Sequence, residues 1–297
     1  MVVLRSASLS VAIHGEQYLT ELLNHGRQPS TIKTYRDRLK WFEEWRVSIG
    51  VPLSEITRDT VEQWISDMRT QGYSPKHVRE NVGVLRWFFA WLEDREFLPR
   101  DPLRRMMPVK VPKRLPQILD VQVILALVAA ASTTRERAIF ELLYGAGLRR
   151  SELLGVDLEH LNLPGLNILI RGKGDKERLQ PITQAAAGAI EGYLAERGPS
   201  PETALLLATG GTRKGKRLGR TGLTSIIKGV AIRAGIHRRV YAHLFRHCYA
   251  THLLAGGARL EEVQELMGHE NISTTRIYTH LSTARLADVV KRAHPRG

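Results

Sequence analysis

Six polar side chains in the second half of the chain stand in an order that can be read as chemistry: Arg149, Lys173, His243, Arg246, His269 and Tyr278. Transfer of a phosphodiester without a metal needs a nucleophile, fixed cations for the non-bridging oxygens, and an acid to protonate the departing oxygen. Arginine suits the oxygens best, because its planar fork is always charged and donates to two acceptors at once. Arg149 follows the break Gly145-Ala146-Gly147, where a loop can present it, and Lys173 sits at the tip of a predicted hairpin. His243 and Arg246 are three apart, so both project from one face of a predicted helix. His269 follows Gly268 at a helix end, and Tyr278 lies nine residues further on. Singly, each also fits an ordinary role: a helix cap, a solvated turn, a core histidine, a packed ring. The ordered set is the signal.

Other motifs fail on chemistry. The run Gly210-Gly211-Thr212-Arg213-Lys214-Gly215-Lys216-Arg217 matches a phosphate-binding loop except at its last position, where Arg217 replaces the hydroxyl that would hold Mg²⁺. Leu218-Gly219-Arg220 is also a weak helix start for such a loop. A flexible basic loop near DNA is the better reading, with Arg213, Lys214, Lys216 and Arg217 as candidate contacts. His243 and His247 have the spacing of a zinc pair, but Leu244 occupies the position of a metalloprotease glutamate and Arg246 would set a fixed cation beside the metal. With no acidic cluster suited to Mg²⁺ either, the expectation is no metal and no cofactor.

The elements that must position these residues fall into two parts. Apolar residues recur at helical spacing four times in the first part: Ile13 to Leu23, Ile32 to Trp45, Val61 to Met68, and Val78 to Leu92 after the cap Ser74-Pro75. This predicts a compact four-helix domain over 1–105, with Trp41, Trp45, Trp64, Trp87 and Trp91 forming a core stripe. Pro108, Pro112 and Pro116, interleaved with Lys110, Lys113 and Arg114, predict an extended basic linker over 106–116. A solvated hinge and a strap across phosphates both fit it. Residues 117–297 read as mixed: helices over Val121–Ala131 and Glu136–Tyr144, strands over Leu166–Ile170 and Arg178–Ile182 around the Gly172–Asp175 turn, and helices again from 221 to Ala293.

Charge supports a polyanionic partner: 44 Lys and Arg against 30 Asp and Glu give a formal +14, and both halves are basic. The longest apolar run, Val123 to Ala131, is nine residues, short of the roughly 20 needed to span a bilayer. No secretory signal is visible, so the expectation is a cytoplasmic chain with no membrane association. A single Cys248 excludes an intrachain disulfide and reads as a small core residue.

The sequence resembles the tyrosine recombinase (phage-type integrase) family. The resemblance is carried by Gly147 to Leu153, Gly172 to Arg178, His243-Leu244-Phe245-Arg246-His247, Met267-Gly268-His269 and Ile277-Tyr278-Thr279-His280, with 24, 70, 3, 23 and 9 residues between successive candidates. It covers the whole chain and is nearest to the Xer branch, through Pro112 to Pro116, Ala250 to Leu254 and Ile272 to Thr275. Phe245, Arg150 and Met267 depart from the usual pattern, all beside candidate positions.

That resemblance implies a mainly α fold with a small β-sheet in a C-terminal catalytic domain, and an N-terminal four-helix DNA-binding domain completing a C-shaped clamp. It implies that Tyr278 attacks a DNA phosphate to form a 3′-phosphotyrosyl link. Arg149 and Arg246 would clamp the non-bridging oxygens, with His243 and His269 completing those contacts and His243 helping to move the tyrosine proton. Lys173 would protonate the leaving 5′-oxygen, and Glu152 would orient the first arginine. A tyrosine hydroxyl titrates near 10, so the field of Arg149, Arg246 and Lys173 is what would activate it. The covalent link conserves the phosphodiester, so rejoining needs no ATP. The implied partners are duplex DNA with inverted arms, further copies forming dimers and a tetrameric synapse, and a paralogous recombinase or a cell-division DNA translocase; the C-terminal helix bearing Leu286, Val289 and Val290 resembles a segment that docks on a neighbouring subunit, and packing back on its own domain fits it equally. Resolution of chromosome or plasmid dimers is the implied task; a mobile-element integrase, a transposon resolvase, a relaxing topoisomerase and a non-cleaving accessory protein are the alternatives.

Overall fold

The computed structural model describes residues 9–112, 118–172, 177–268 and 283–297. The chain forms two compact units, Met1–Arg114 and Leu115–Gly297.

The first unit holds α1 (Val11–Asn24), α2 (Pro29–Ser48), α3 (Arg58–Thr70) and α4 (Pro75–Asp94). Each starts where local chemistry favours it. Ser10 accepts the Ile13 N–H at 3.1 Å, Thr57 accepts that of Thr60 at 3.2 Å, and Ser74 accepts that of His77 at 3.2 Å with Pro75 at the first helical position. Leu39, Phe42, Val61, Trp64, Val78, Phe88 and Phe89 fill the core. Trp41, Trp45 and Trp91 pack at its edge, but Trp87 is 67% exposed, contrary to the predicted stripe. Leu85, Phe88, Phe89 and Leu92 already make the inward face of α4, and position 87 falls nearly opposite it. Packing also runs past residue 105. Met106 and Val109 join this core, while Lys110 is exposed; Lys113 and Arg114 lie outside the described residues.

The second unit comprises α5 (Val121–Ala129), α6 (Thr134–Gly145), α7 (Arg150–Gly155), strands β1 (Leu161–Asn162), β2 (Asn167–Arg171) and β3 (Glu177–Pro181), then α8 (Gln184–Arg197), α9 (Arg220–Arg233), α10 (Ala242–Ala255), α11 (Leu260–Leu266) and α12 (Thr283–Ala293). The strands form one antiparallel sheet in the order β1-β2-β3, with Leu169 paired to Leu179 and Arg171 to Glu177. Helix α6 is the axis of the core, Ala138 to Tyr144 being buried throughout. The predicted strands are each shifted by about one residue, and α9 starts at Arg220 despite its weak start signal.

One element was not expected, and another decides a choice that the sequence left open. Helix α8 had no signal in the spacing of large apolar residues, because it buries Ala186, Ala187, Ala189, Ile190 and Tyr193 and packs closely on α6. For α12 the sequence left docking on a neighbouring subunit and packing on its own domain both open; its apolar face is buried within its own unit, where Leu286, Val289 and Val290 are 6%, 1% and 2% exposed and pack with Tyr249, Leu253, Val263 and Leu266. The tail after it is pinned as Arg296 Nε donates to Glu141 at 2.9 Å.

Candidate active site

The site is assembled at the start of α7. Gly147 precedes it with φ of +59°, and an added Cβ would lie 2.4 Å from the Tyr249 ring, so only glycine fits both the backbone and the space. The chain then turns into Arg149, which stands at the N-terminal cap of α7. The Arg149 N–H donates to Glu152 Oε2 at 2.8 Å and its Nη1 to Oε1 at 2.6 Å. Its Nη2 donates to the carbonyls of Met267 at 3.2 Å and Gly268 at 3.0 Å, at the end of α11.

Arg246 arrives from α10, almost a hundred residues later, and is 2% exposed. Its Nη1 donates to the Gly147 carbonyl at 2.6 Å, and its Nη2 donates to the same Met267 carbonyl that Arg149 uses. Arg246 Nη1 also lies 3.7 Å from Glu152 Oε2. The structure therefore brings Arg149, Arg246 and Glu152 together. Burial, then the adjacent Arg149 charge, pull the Arg246 guanidinium down to about 10, which leaves it charged at neutral pH.

A third arginine completes the cluster, and the reading of the sequence gave it no role. Arg178 on β3 donates from Nη1 to Glu152 Oε1 at 3.1 Å and from Nη2 to Oε2 at 3.2 Å. Burial would raise the Glu152 carboxyl, but the hydrogen bonds and charge of Arg178, followed by the contacts of Arg149, outweigh it and hold it at about 2. The available signal was strand alternation: Arg178 and Gln180 share one side of β3 and Glu177 and Leu179 the other, and a cation on the inward side needs a buried partner.

His243 is one turn before Arg246 on α10, solvent-facing on one side, with its ring edge-on to His247 at 4.5 Å between centroids. Burial first, then the charges of His247, Arg246 and Arg149, lower its pKa, so it favours the neutral form. It opens on a cleft of about 320 Å³ with Arg150, Leu223, Ile227 and Val240. Lys173, His269 and Tyr278 lie outside the described residues. Among the described residues no group of three His, Cys, Asp or Glu is placed to hold a metal ion.

The basic loop divides in two. Arg213, Lys214 and Lys216 are exposed, on a turn held by Gly215 N–H to Ala208 O and Ala208 N–H to Lys216 O, both 2.9 Å. Arg217 departs from the expected free cation: its Nη2 meets Asp157 Oδ1 at 2.5 Å and its Nη1 donates to Leu154 O at 3.0 Å, so it braces the base of the loop. Cys248 is buried, accepting the Leu119 N–H at 3.2 Å.

Comparison with known proteins matches residues 117–285 to the Phage integrase family and residues 16–96 to the phage integrase N-terminal SAM-like domain. The chain is 34% identical over 288 residues to "Tyrosine recombinase XerD" of Listeria monocytogenes, covering 93% of this chain and 96% of that protein. It is likewise 34% identical over 286 residues to "Tyrosine recombinase XerC" of Myxococcus xanthus, covering 91% and 93%. Among solved structures, the XerH site-specific recombinase bound to a palindromic difH substrate, in a post-cleavage complex, superposes with a TM-score of 0.69 at 23% identity, covering 97% of this chain and 91% of that one. No described helix is long and apolar enough to cross a membrane.

Proposed function

Because the chain belongs to the phage integrase family of tyrosine recombinases, with Xer proteins among its relatives, we propose that it is a site-specific DNA recombinase that breaks and rejoins duplex DNA through a 3′-phosphotyrosyl intermediate. One observation carries this reading: two guanidinium groups from distant parts of the sequence, Arg149 and Arg246, converge on a single carbonyl and a single buried carboxylate. A phosphate seated there would receive N–H donors from both while its negative charge spreads in the transition state.

In the proposed reaction the Tyr278 oxygen attacks phosphorus, the bond from phosphorus to the 5′-oxygen breaks, and Lys173 gives that oxygen its proton. His243 and His269 complete the contacts to the non-bridging oxygens, and neutral His243 can take the tyrosine proton. The 5′-hydroxyl of a second strand reverses the sequence and reseals the backbone. Lys110, Lys113, Arg114, Arg213, Lys214 and Lys216 are the proposed backbone contacts. Two copies on inverted arms and four in a synapse, working in the cytoplasm with or without a paralogous recombinase or a cell-division DNA translocase, suit resolution of chromosome or plasmid dimers.

The test is covalent trapping. Duplexes retained by the protein from a randomised pool are resynthesised with a nick beside the cleavage position, so that the freed fragment diffuses away. Wild type should leave a protein–DNA adduct, and Tyr278→Phe should bind equally well without one. Binding by both with an adduct from neither would sink the reading in favour of an accessory protein, and relaxation of any supercoiled plasmid without site preference would favour a topoisomerase.

A further inference from the structure

Arg178 touches the site from a side that the reaction itself does not require. Its guanidinium forms a two-point pair with Glu152, whose side chain is 3% exposed, and its Nε donates to Gln180 at 3.2 Å on the same strand. It also lies flat against Gly268. A Cβ added there would come within 3.2 to 3.3 Å of Cζ, Nε and Nη1 of Arg178, and Gly268 has φ of +55°. Gly268 is the residue whose carbonyl Arg149 uses, directly after the Met267 carbonyl that Arg149 and Arg246 share. One side chain on the sheet thus abuts both supports of the paired arginines: the carboxylate on α7 and the backbone at the end of α11.

We infer that Arg178 is a positioning residue for the oxygen-binding pair, fixing the orientation of Arg149 and Arg246 through Glu152 and Gly268 without contacting DNA phosphate itself. The electrostatics require such a group. Glu152 lies against two cations that must stay aimed at a ligand, and a carboxylate free to rotate would pair with one guanidinium and turn it away. The fork of Arg178 occupies both carboxylate oxygens and fixes the plane of the group. Lysine, a point charge on a flexible stem, could supply the charge but not the plane. The inference rests on the proposed role of Arg149 and Arg246 as the clamp on the scissile phosphate.

The experiment compares single-turnover adduct formation on the nicked duplex described above with the same duplex carrying a methylphosphonate at the cleavage position. Replacing a non-bridging oxygen by methyl removes the charge that the clamp stabilises. Arg178→Ala should slow adduct formation about 10²-fold on the ordinary phosphate, with DNA affinity unchanged. On the methylphosphonate its rate should approach that of wild type to within about tenfold. Arg178→Lys should recover only part of the loss. Gly268→Ala, which pushes the guanidinium aside, should reproduce the same substrate-dependent pattern and provides the test if Arg178→Ala does not fold. Combined with Glu152→Gln, Arg178→Ala should add little further loss, because both act through one contact. An unaltered rate, an equal defect on both substrates, or additive losses would each overturn the inference. Arg149→Ala run alongside separates the two levels: if wild type forms no adduct, or if Arg149→Ala costs nothing, the proposed function itself has failed.

Discussion

Substitution of Glu152 by glutamine keeps the shape of the side chain and removes its charge from between three guanidinium groups. Although burial disfavours the carboxylate, Arg178 and Arg149 draw its pKa from the ordinary 4.5 to about 2. At about 1.36 kcal/mol per unit, the folded state favours the ionised form by about 3 kcal/mol. The folded pKa lies below the unfolded one, so this contribution is fully present above about pH 5 and is lost as pH falls toward 2. Glutamine lacks it at every pH. Glu152→Gln should therefore be less stable than wild type by about 3 kcal/mol at pH 7, and by under about 1 kcal/mol at pH 2.5. Urea unfolding followed by helical circular dichroism measures both gaps. Tryptophan fluorescence would miss them, because all five tryptophans lie in the first unit. A gap of equal size at both pH values would refute the account, since loss of packing alone does not titrate.

Other outcomes follow from the same geometry. Gly147→Ala forces a Cβ into the Tyr249 ring at a backbone angle unfavourable to L-residues, and should cost about 2 to 4 kcal/mol in chemical denaturation. Burial holds His294 neutral down to about 3, so as pH falls below about 6.5 the unfolded chain binds a proton that the folded chain refuses. His294 alone should lower stability by about 2 kcal/mol between pH 7 and 5, and His294→Gln should reduce the slope in melting curves by that amount, leaving the part due to His243 and His252, whose pKa values are also lowered. Alanine at both Lys214 and Lys216 should flatten the log–log salt dependence of DNA binding by about 2; Arg217→Ala should leave the slope unchanged and lower the melting temperature instead, because Asp157 would lose its partner.

The sequence made legible what depends on local chemistry. Caps, prolines and large apolar residues mark the four helices of the first unit, whereas the short α7 is not read from the sequence, which places Arg149 on a loop. It hid what depends on contacts between distant segments. Arg217 looks like its exposed neighbours until Asp157, sixty residues earlier, is brought against it, and Arg178 looks like a strand-surface cation until Glu152 lies beneath it. Helix α8 escaped because small residues bury little apolar area each, yet allow close approach to α6. Trp87 shows the converse, since counting aromatic residues along α4 does not reveal that its inward face is already full.

The carbonyl of Met267, shared by Arg149 and Arg246, has a consequence for how the enzyme tolerates acidity. A peptide oxygen has no proton to gain or lose over the biological range, unlike the aspartate or histidine that often faces an arginine. The support beneath the two guanidinium groups therefore keeps the same charge in mildly acid and mildly alkaline solution alike. If Arg149 and Arg246 hold the phosphate as proposed, the acidity profile of the exchange should be set by the groups that move protons and not by this pair.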